Sequence, residues 1–315
     1  MTEPLVSICV ITYNQEGYIA QTLDSILSQE HNYPYEIVVG EDCSTDGTKK
    51  IIEEYVEKYP DIIKPLYNNP NKGIIGNYFN VISYCRGKYI MECAGDDYWL
   101  PGKVKTQVEY METHPDVGMC YGVAQVFLVD EGKFRLKNFG SNKETFESLL
   151  IGNDIPAMSI CMRTTLVRKY VDDICPIEKN WILEDYPLWL WFSAESKIAF
   201  ITQDMCVYRE FGESASHSYS LDRHIRLEKC TYEIQCFFAN RYGRVVPYFD
   251  LEEKAFLFLY AQLKQNYSTD LARQLRQRFF FIKKKNLYHH LKVICSFSPL
   301  LIQFVDRLLN MGRDK

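Results

Sequence analysis

Residues 88–104 read KYIMECAGDDYWLPGKV. The run from Lys88 to Cys93 has the composition of a buried strand, and it leads almost directly into two adjacent aspartates, Asp96 and Asp97. Paired carboxylates at the end of a buried strand repel each other. They persist at low cost only where a hard cation or a shared proton compensates the charge. A divalent metal held by Asp96 and Asp97 is the economical reading, and a pair of solvated turn aspartates is the alternative.

Upstream, short apolar runs alternate with amphipathic stretches. Val6 to Thr12, Glu36 to Glu41 and Ile62 to Tyr67 read as strands, and Tyr18 to Gln29, Thr48 to Tyr59 and Ile74 to Cys85 as helices. This βαβα rhythm predicts an α/β protein with a mainly parallel central sheet flanked by helices. Open parallel sheets bind ligands at the carboxyl ends of their strands. The polar residues of interest fall at those ends: Thr12-Tyr13-Asn14, Glu41-Asp42, Asn71-Lys72-Gly73 and Asp96-Asp97. Each group alone reads as a helix cap or turn, as Ser44, Thr45 and Asp46 do before Gly47-Thr48. Four such groups on one rim point to a binding site.

Downstream, a β-prone run covers Val117 to Val129, a hairpin is expected around Glu131-Gly132, and a loop near Gly152-Asn153-Asp154. Residues 180–192, NWILEDYPLWLWF, set Glu184-Asp185 among Trp181, Trp189 and Trp191 just before a short helix. Carboxylates in so apolar a setting have raised pKa values, which suits a general base working near neutral pH. The alternative is an acidic pair placed for the helix dipole. Residues 206–218, CVYREFGESASHS, combine a strand end with small residues suited to a lid or equally to an ordinary surface connection. Beyond Ser220 the pattern is helical, through Leu221 to Tyr242 and Leu251 to Gln265, which divides the chain into 1–218 and a helical region 219–315.

The 315 residues, 47% hydrophobic and 24% charged, suffice for one large domain and a smaller one. A net charge of -5 gives no footprint for nucleic acid. Eleven cysteines, an odd number without a CxxC pair, fit reduced thiols in the cytoplasm and offer no zinc-ligand spacing. MTEPLVSICVITYN reads as a first strand and not a signal peptide. VICSFSPLLIQFV is too short to span a membrane and is broken by Pro299. The segment around Lys283-Lys284-Lys285 mixes cations with Phe, Leu and Ile, which suits peripheral contact with an anionic membrane, or a helix packed on the rest of the chain or on a second subunit in a homodimer.

YIMECAGDDYWLPGKV resembles the metal-binding strand end of family 2 glycosyltransferases, where an acidic-x-Asp-Asp motif precedes aromatic residues and a proline; the first acidic position is Ala94 here. PLVSICVITYNQEGYIAQTLDSILSQ (4–29) is similar to the family's opening strand and helix, EIVVGEDCSTDGT (36–48) to its second strand and turn, and NPNKGIIGNYFN (69–80) to a donor-side loop. The resemblance implies a GT-A fold with a C-terminal helical extension. It implies that Thr12, Tyr13 and Glu16 line the nucleotide pocket and that Asp42 accepts a hydrogen bond from a uracil-like N3–H. Lys72 and Asn77 would lie on the donor side, with Gly73 and Gly76 allowing close backbone approach. Asp96 would face both sugar and cation, Asp97 the Mn2+ or Mg2+, and Arg209 and His217 the diphosphate. Asp185 would be the base, with Glu184 as its alternate.

The implied reaction is an inverting transfer from a nucleotide-sugar, with UDP favoured, to a hydroxyl of a glycan or lipid-linked acceptor in cell-surface polysaccharide synthesis. A sugar-nucleotide pyrophosphorylase would carry a GGxGTR-like loop where this chain has TYNQEGY. A receiver domain would carry its acidic pair after the first strand. The remaining rival, suggested by Ala94, is a catalytically degenerate homologue that binds nucleotide or glycan without turnover.

Overall fold

The computed structural model describes residues 3–212 and 220–302, so His217 and the small residues Ser214, Ala215 and Ser216 lie outside the described residues. In chain order the elements are β1 (Val6–Thr12), α1 (Ile19–Leu27), β2 (Tyr35–Glu41), α2 (Thr48–Lys58), β3 (Ile63–Tyr67), α3 (Gly73–Tyr84) and β4 (Tyr89–Ala94). There follow β5 (Tyr98–Trp99), α4 (Lys103–Thr113), β6 (Val117–Leu128), β7 (Lys133–Phe134), α5 (Phe146–Ile151), β8 (Cys161–Arg163), α6 (Thr164–Ile174), α7 (Asp185–Glu195) and β9 (Lys197–Glu210). The chain continues through α8 (Leu221–Arg241), α9 (Leu251–Gln265), α10 (Thr269–Phe281) and α11 (Leu287–Cys295).

Among the described residues nine strands form one sheet in the order β3-β2-β1-β4-β8-β6-β9-β5, with β7 paired to β6. The β3-β2-β1-β4 half is parallel, as the βα alternation predicts, and β6 and β9 run parallel in the other half. The three-residue β8 is antiparallel to both β4 and β6 and joins the halves. β1 is buried at every position except Ile11 because helices cover both faces of a parallel sheet. α1 buries Ile19, Thr22, Leu23 and Ile26, the spacing of a single stripe on a 3.6-residue helix. Burying an Ile side chain such as Ile8 or Ile37 stabilises the fold by roughly 1.5–3 kcal/mol each.

Contacts divide the chain into two units: residues 1–211 with 237–246, and residues 212–236 with 247–315. The break lies a few residues before the boundary expected from the sequence. Residues 237–246 return to the first unit because Phe237 and Phe238 pack on Trp181, with ring centroids 5.3 and 6.0 Å away.

The second unit has its own core of Phe256, Leu259, Tyr260, Leu263, Leu275 and Ile282. Its helix starts are set by side-chain caps: Asp250 accepts from Glu252 N at 3.0 Å, Ser268 from Asp270 N at 3.2 Å, and Asn286 from His289 N at 3.1 Å. Among the described residues no helix is long and apolar enough to cross a membrane.

Candidate active site

The rim at the carboxyl ends of β1, β2 and β4 is assembled by strand register. Thr12 pairs with Glu41, so Asp42 N donates to Thr12 O at 3.0 Å; Ile11 pairs with Ala94, so Gly95 N donates to Ile11 O at 2.9 Å. Asp42 and the Asp96-Asp97 turn therefore follow the two strands that flank β1. Thr12 is buried and its hydroxyl donates to Gln15 Oε1 at 2.7 Å, while Tyr13 is 47% exposed. Gly95 is required where it stands, because a Cβ there would run into Gln15 and Thr12.

Asp42 is fixed on one side only. Its Oδ1 accepts from Asn68 Nδ2 at 2.9 Å and from Lys72 N at 2.8 Å, while Oδ2 accepts no hydrogen bond among the described residues. Asn77 is buried and acts one step back: its Oδ1 accepts from Asn68 Nδ2 at 2.8 Å and its Nδ2 donates to Gly40 O at 2.8 Å. Lys72 contributes its backbone to Asp42 and leaves its side chain exposed. Glu16 is drawn to the start of α2, where its Oε2 accepts from Gly47 N at 2.5 Å. Asn14, at φ 52°, accepts from Thr45 N at 2.8 Å and so ties the β1 loop to the β2 loop.

The acidic pair lies in the turn after β4, where Asp97 N donates to Ala94 O at 3.0 Å. Asp97 is 2% exposed; lost hydration, and then the neighbouring Asp96, push its carboxyl well above the usual range. Asp96 is pushed up by lost hydration and is partly offset by Arg209 and by the Gln15 side chain. Arg209 N donates to Asp97 Oδ1 at 2.8 Å, and its guanidinium donates to Asp96 O and to Gln21 Oε1. The guanidinium also lies between the Tyr18 and Tyr98 rings, 5.1 and 4.7 Å from their centroids. Arg209 is thereby committed to shaping the turn that presents the two aspartates.

Among the described residues no three His, Cys, Asp or Glu side chains converge as a metal cage. A hard cation such as Mg2+ nevertheless fits Asp96 and Asp97. Mg2+ is bound through one or two carboxylates, taking its other ligands from substrate phosphates and water. The two desolvated, mutually repelling carboxylates have Arg209 as their cationic neighbour.

Glu184 and Asp185 begin α7, with Asp185 Oδ1 accepting from Tyr186 N at 2.6 Å and Oδ2 from Asn153 Nδ2 at 3.3 Å. Both carboxyls are raised by lost hydration, Glu184 to about 8, and the charge of Asp185 adds to the Glu184 shift. Two buried donors stand nearby: the Tyr170 hydroxyl and the Trp189 N–H find no well-formed hydrogen bond among the described residues, and Trp189 steadies the charged form of Asp185.

A third carboxyl, which the sequence reading passed over, belongs to this group. Glu92, mid-strand in β4, is raised to about 8 by burial and then by Glu184 and Asp185, and its Oε1 accepts from the Tyr78 hydroxyl. Its signal in the sequence was a lone acid inside an apolar run, IMEC.

The candidate residues thus fall into three sets: Asp42 with Lys72 and Asn77, Asp96 and Asp97 with Arg209, and Glu184 and Asp185 with Glu92. Chains with the same fold occur among solved structures. The Staphylococcus aureus protein TarS (residues 1–349, in complex with UDP-GlcNAc) superposes with a TM-score of 0.55 at 18% identity, covering 96% of this chain and 91% of TarS. The mannosyltransferase PcManGT of Pyrobaculum calidifontis, in complex with GDP-Man and Mn2+, gives 0.55 at 16% identity, covering 96% and 87%. The fold is thus the GT-A fold that the resemblance implied.

In sequence, an uncharacterized protein of Mycobacterium tuberculosis is 33% identical over 221 residues, 69% of this chain and 62% of that protein, so this chain spans less than two thirds of its relative's length. A Bacillus subtilis chain named as glycosyltransferase EpsE is 28% identical over 228 residues, 70% of this chain and 80% of that one. The family model "Glycosyl transferase family 2" matches residues 7–174, more than half of the sequence and both the Asp42 and the Asp96-Asp97 rims, and the chain belongs to that family.

Proposed function

We propose that the chain transfers a sugar from a nucleoside-diphosphate donor to a hydroxyl of a glycan or lipid-linked acceptor, with inversion, in cell-surface polysaccharide synthesis. The observation that carries the reading is the pairing on one rim of Asp42, with its unused Oδ2, and the Asp96-Asp97 turn. A ring N–H donating to Asp42 Oδ2 favours a uracil-like base. The UDP-GlcNAc bound by TarS agrees with that choice, and the Mn2+ bound by PcManGT with a divalent cation here.

Asp96 and Asp97 would hold Mn2+ or Mg2+, which supplies positive charge for the leaving diphosphate. Thr12 and Tyr13 flank the nucleotide, while Asn77, Glu16 and Arg209 act by holding the loops that meet it. Asp185 takes the proton from the acceptor hydroxyl, whose oxygen attacks the anomeric carbon as the nucleoside diphosphate departs, and a single displacement inverts that carbon. Glu184, raised to about 8, is the second candidate for the same role. A cytosolic donor places the reaction in the cytoplasm, with the second unit resting on the membrane where a lipid-linked acceptor is presented.

Ala94, in place of an acid beside the turn, favours one further reading, a homologue that binds without turnover. Thermal melting with UDP- and GDP-sugars, with and without Mn2+, tests the proposal. A UDP-sugar with Mn2+ should raise Tm in step with occupancy. Failure of every nucleotide to shift Tm rejects the transferase reading, and a shift without product release from any acceptor favours the binding homologue.

A further inference from the structure

Helix α11 turns two ionisable side chains inward, although Cys295 and Val293 also pack on the core of the unit. Its inward face carries His289, Lys292 and Cys295, while Leu287 and Ile294 point outward, 75% and 56% exposed. The polar residues fix this rotation. His289 Nε2 lies 2.9 Å from Glu253 Oε1 and its Nδ1 accepts from Asn286 N at 3.2 Å. Lys292 Nζ sits 3.5 Å from the Tyr260 ring centroid. A surface helix in water normally turns its apolar stripe inward.

The adjoining sequence also exposes Phe280, Phe281, Phe297 and Leu300. Of the eighteen large apolar side chains exposed among the described residues, eight fall within residues 280–301. The same stretch exposes Lys283, Lys284 and Lys285 and contains no Asp or Glu.

We propose that this face is an anchor for an anionic bilayer, its apolar side chains entering the headgroup boundary and its lysines meeting lipid phosphates. The charge selects the occupant. Two copies of the chain pairing through this face would bring lysine triad towards lysine triad with no carboxylate from the stretch to offset them. The anchor lies on the membrane, since no described helix is long and apolar enough to cross it. It deepens the membrane part of the function proposed above, and it is independent of the catalytic part because lipid binding is measured without donor or acceptor.

The test is flotation of the 315-residue chain with vesicles of phosphatidylcholine alone or mixed with phosphatidylglycerol. Binding is expected only to the mixed vesicles and should weaken as salt rises. Lys283→Gln with Lys284→Gln should weaken it about 25-fold, at roughly five-fold per lysine. Lys285 is left in place because its ammonium donates to Ile282 O at 2.8 Å. Leu287→Ser with Ile294→Ser should weaken binding on the order of a hundred-fold.

The proposal is overturned if the intact chain ignores phosphatidylglycerol vesicles at low salt, or if neither variant changes binding. It is also overturned if the apolar variant converts a lipid-free dimer to monomer with vesicle binding unchanged. Should that variant melt early, the lysine variant, altered only at exposed side chains, still decides.

Discussion

Replacing Glu92 by Gln isolates the electrostatics of the acidic group behind the site. The wild-type carboxyl is pushed up to about 8 by burial and by Glu184 and Asp185, against an ordinary 4.5. That separation corresponds to about 5 kcal/mol between the charged and neutral forms. Because the folded pKa is raised, this contribution is fully present below about pH 4.5, where both states are protonated, and is lost as pH rises through about 8. Gln is neutral throughout and can still accept from the Tyr78 hydroxyl as Oε1 of Glu92 does. Urea unfolding of both proteins should therefore show the wild type losing about 4 kcal/mol relative to Glu92→Gln between about pH 5 and about pH 9. A difference that stays flat across that range would refute the placement of a neutral carboxyl at this position.

Three further outcomes concern the candidate base and the packing behind Asp42. Asp185→Asn should retain nucleotide-dependent melting shifts and lose roughly 10²–10⁴-fold in transfer rate. In the parent protein the acid limb of the rate profile should stand above the ordinary aspartate value of 3.8, because Asp185 must be ionised to act and lost hydration raises it. Gly40→Ala should destabilise the first unit by roughly 1–3 kcal/mol in thermal or urea unfolding, since its Cβ would enter the space of the Asn77 amide and the Val81 methyl.

The parallel half of the sheet was legible because β1 and β2 are covered on both faces and so read as continuous apolar runs. β8 was not legible: three residues between β4 and β6 carry no period, and their antiparallel pairing is decided by the strands on either side. β9 spans Lys197–Glu210, yet only its Cys206 end reads as a strand, because exposed residues such as Gln203 interrupt the run. In the site, Asp42, Asp96-Asp97 and Asp185 were visible as acids at element ends. The roles of Asn77 and Arg209 were not, since a buried amide bridging Asn68 to Gly40, or a guanidinium between two tyrosines, depends on residues brought together from distant parts of the sequence. α11 shows the same limit in another form, for a two-faced pattern does not say which face turns inward.

All four tryptophans of the chain stand beside the acids at issue or the core that carries them. Trp99 follows the Asp97 turn, donates to Glu92 O at 3.2 Å and has the Lys103 ammonium 4.2 Å from its ring centroid. Trp189 adjoins Asp185, Trp191 donates to Asp173 Oδ2 at 2.9 Å, and Trp181 packs on Phe237 just before the acidic pair. Indole emission responds to the field of nearby charges, so the protein carries its own optical indicator. Ionisation of Asp185 or Glu92 should move the emission of Trp189 and Trp99, letting the charge state of the site be titrated by light in the absence of any donor, acceptor or cation.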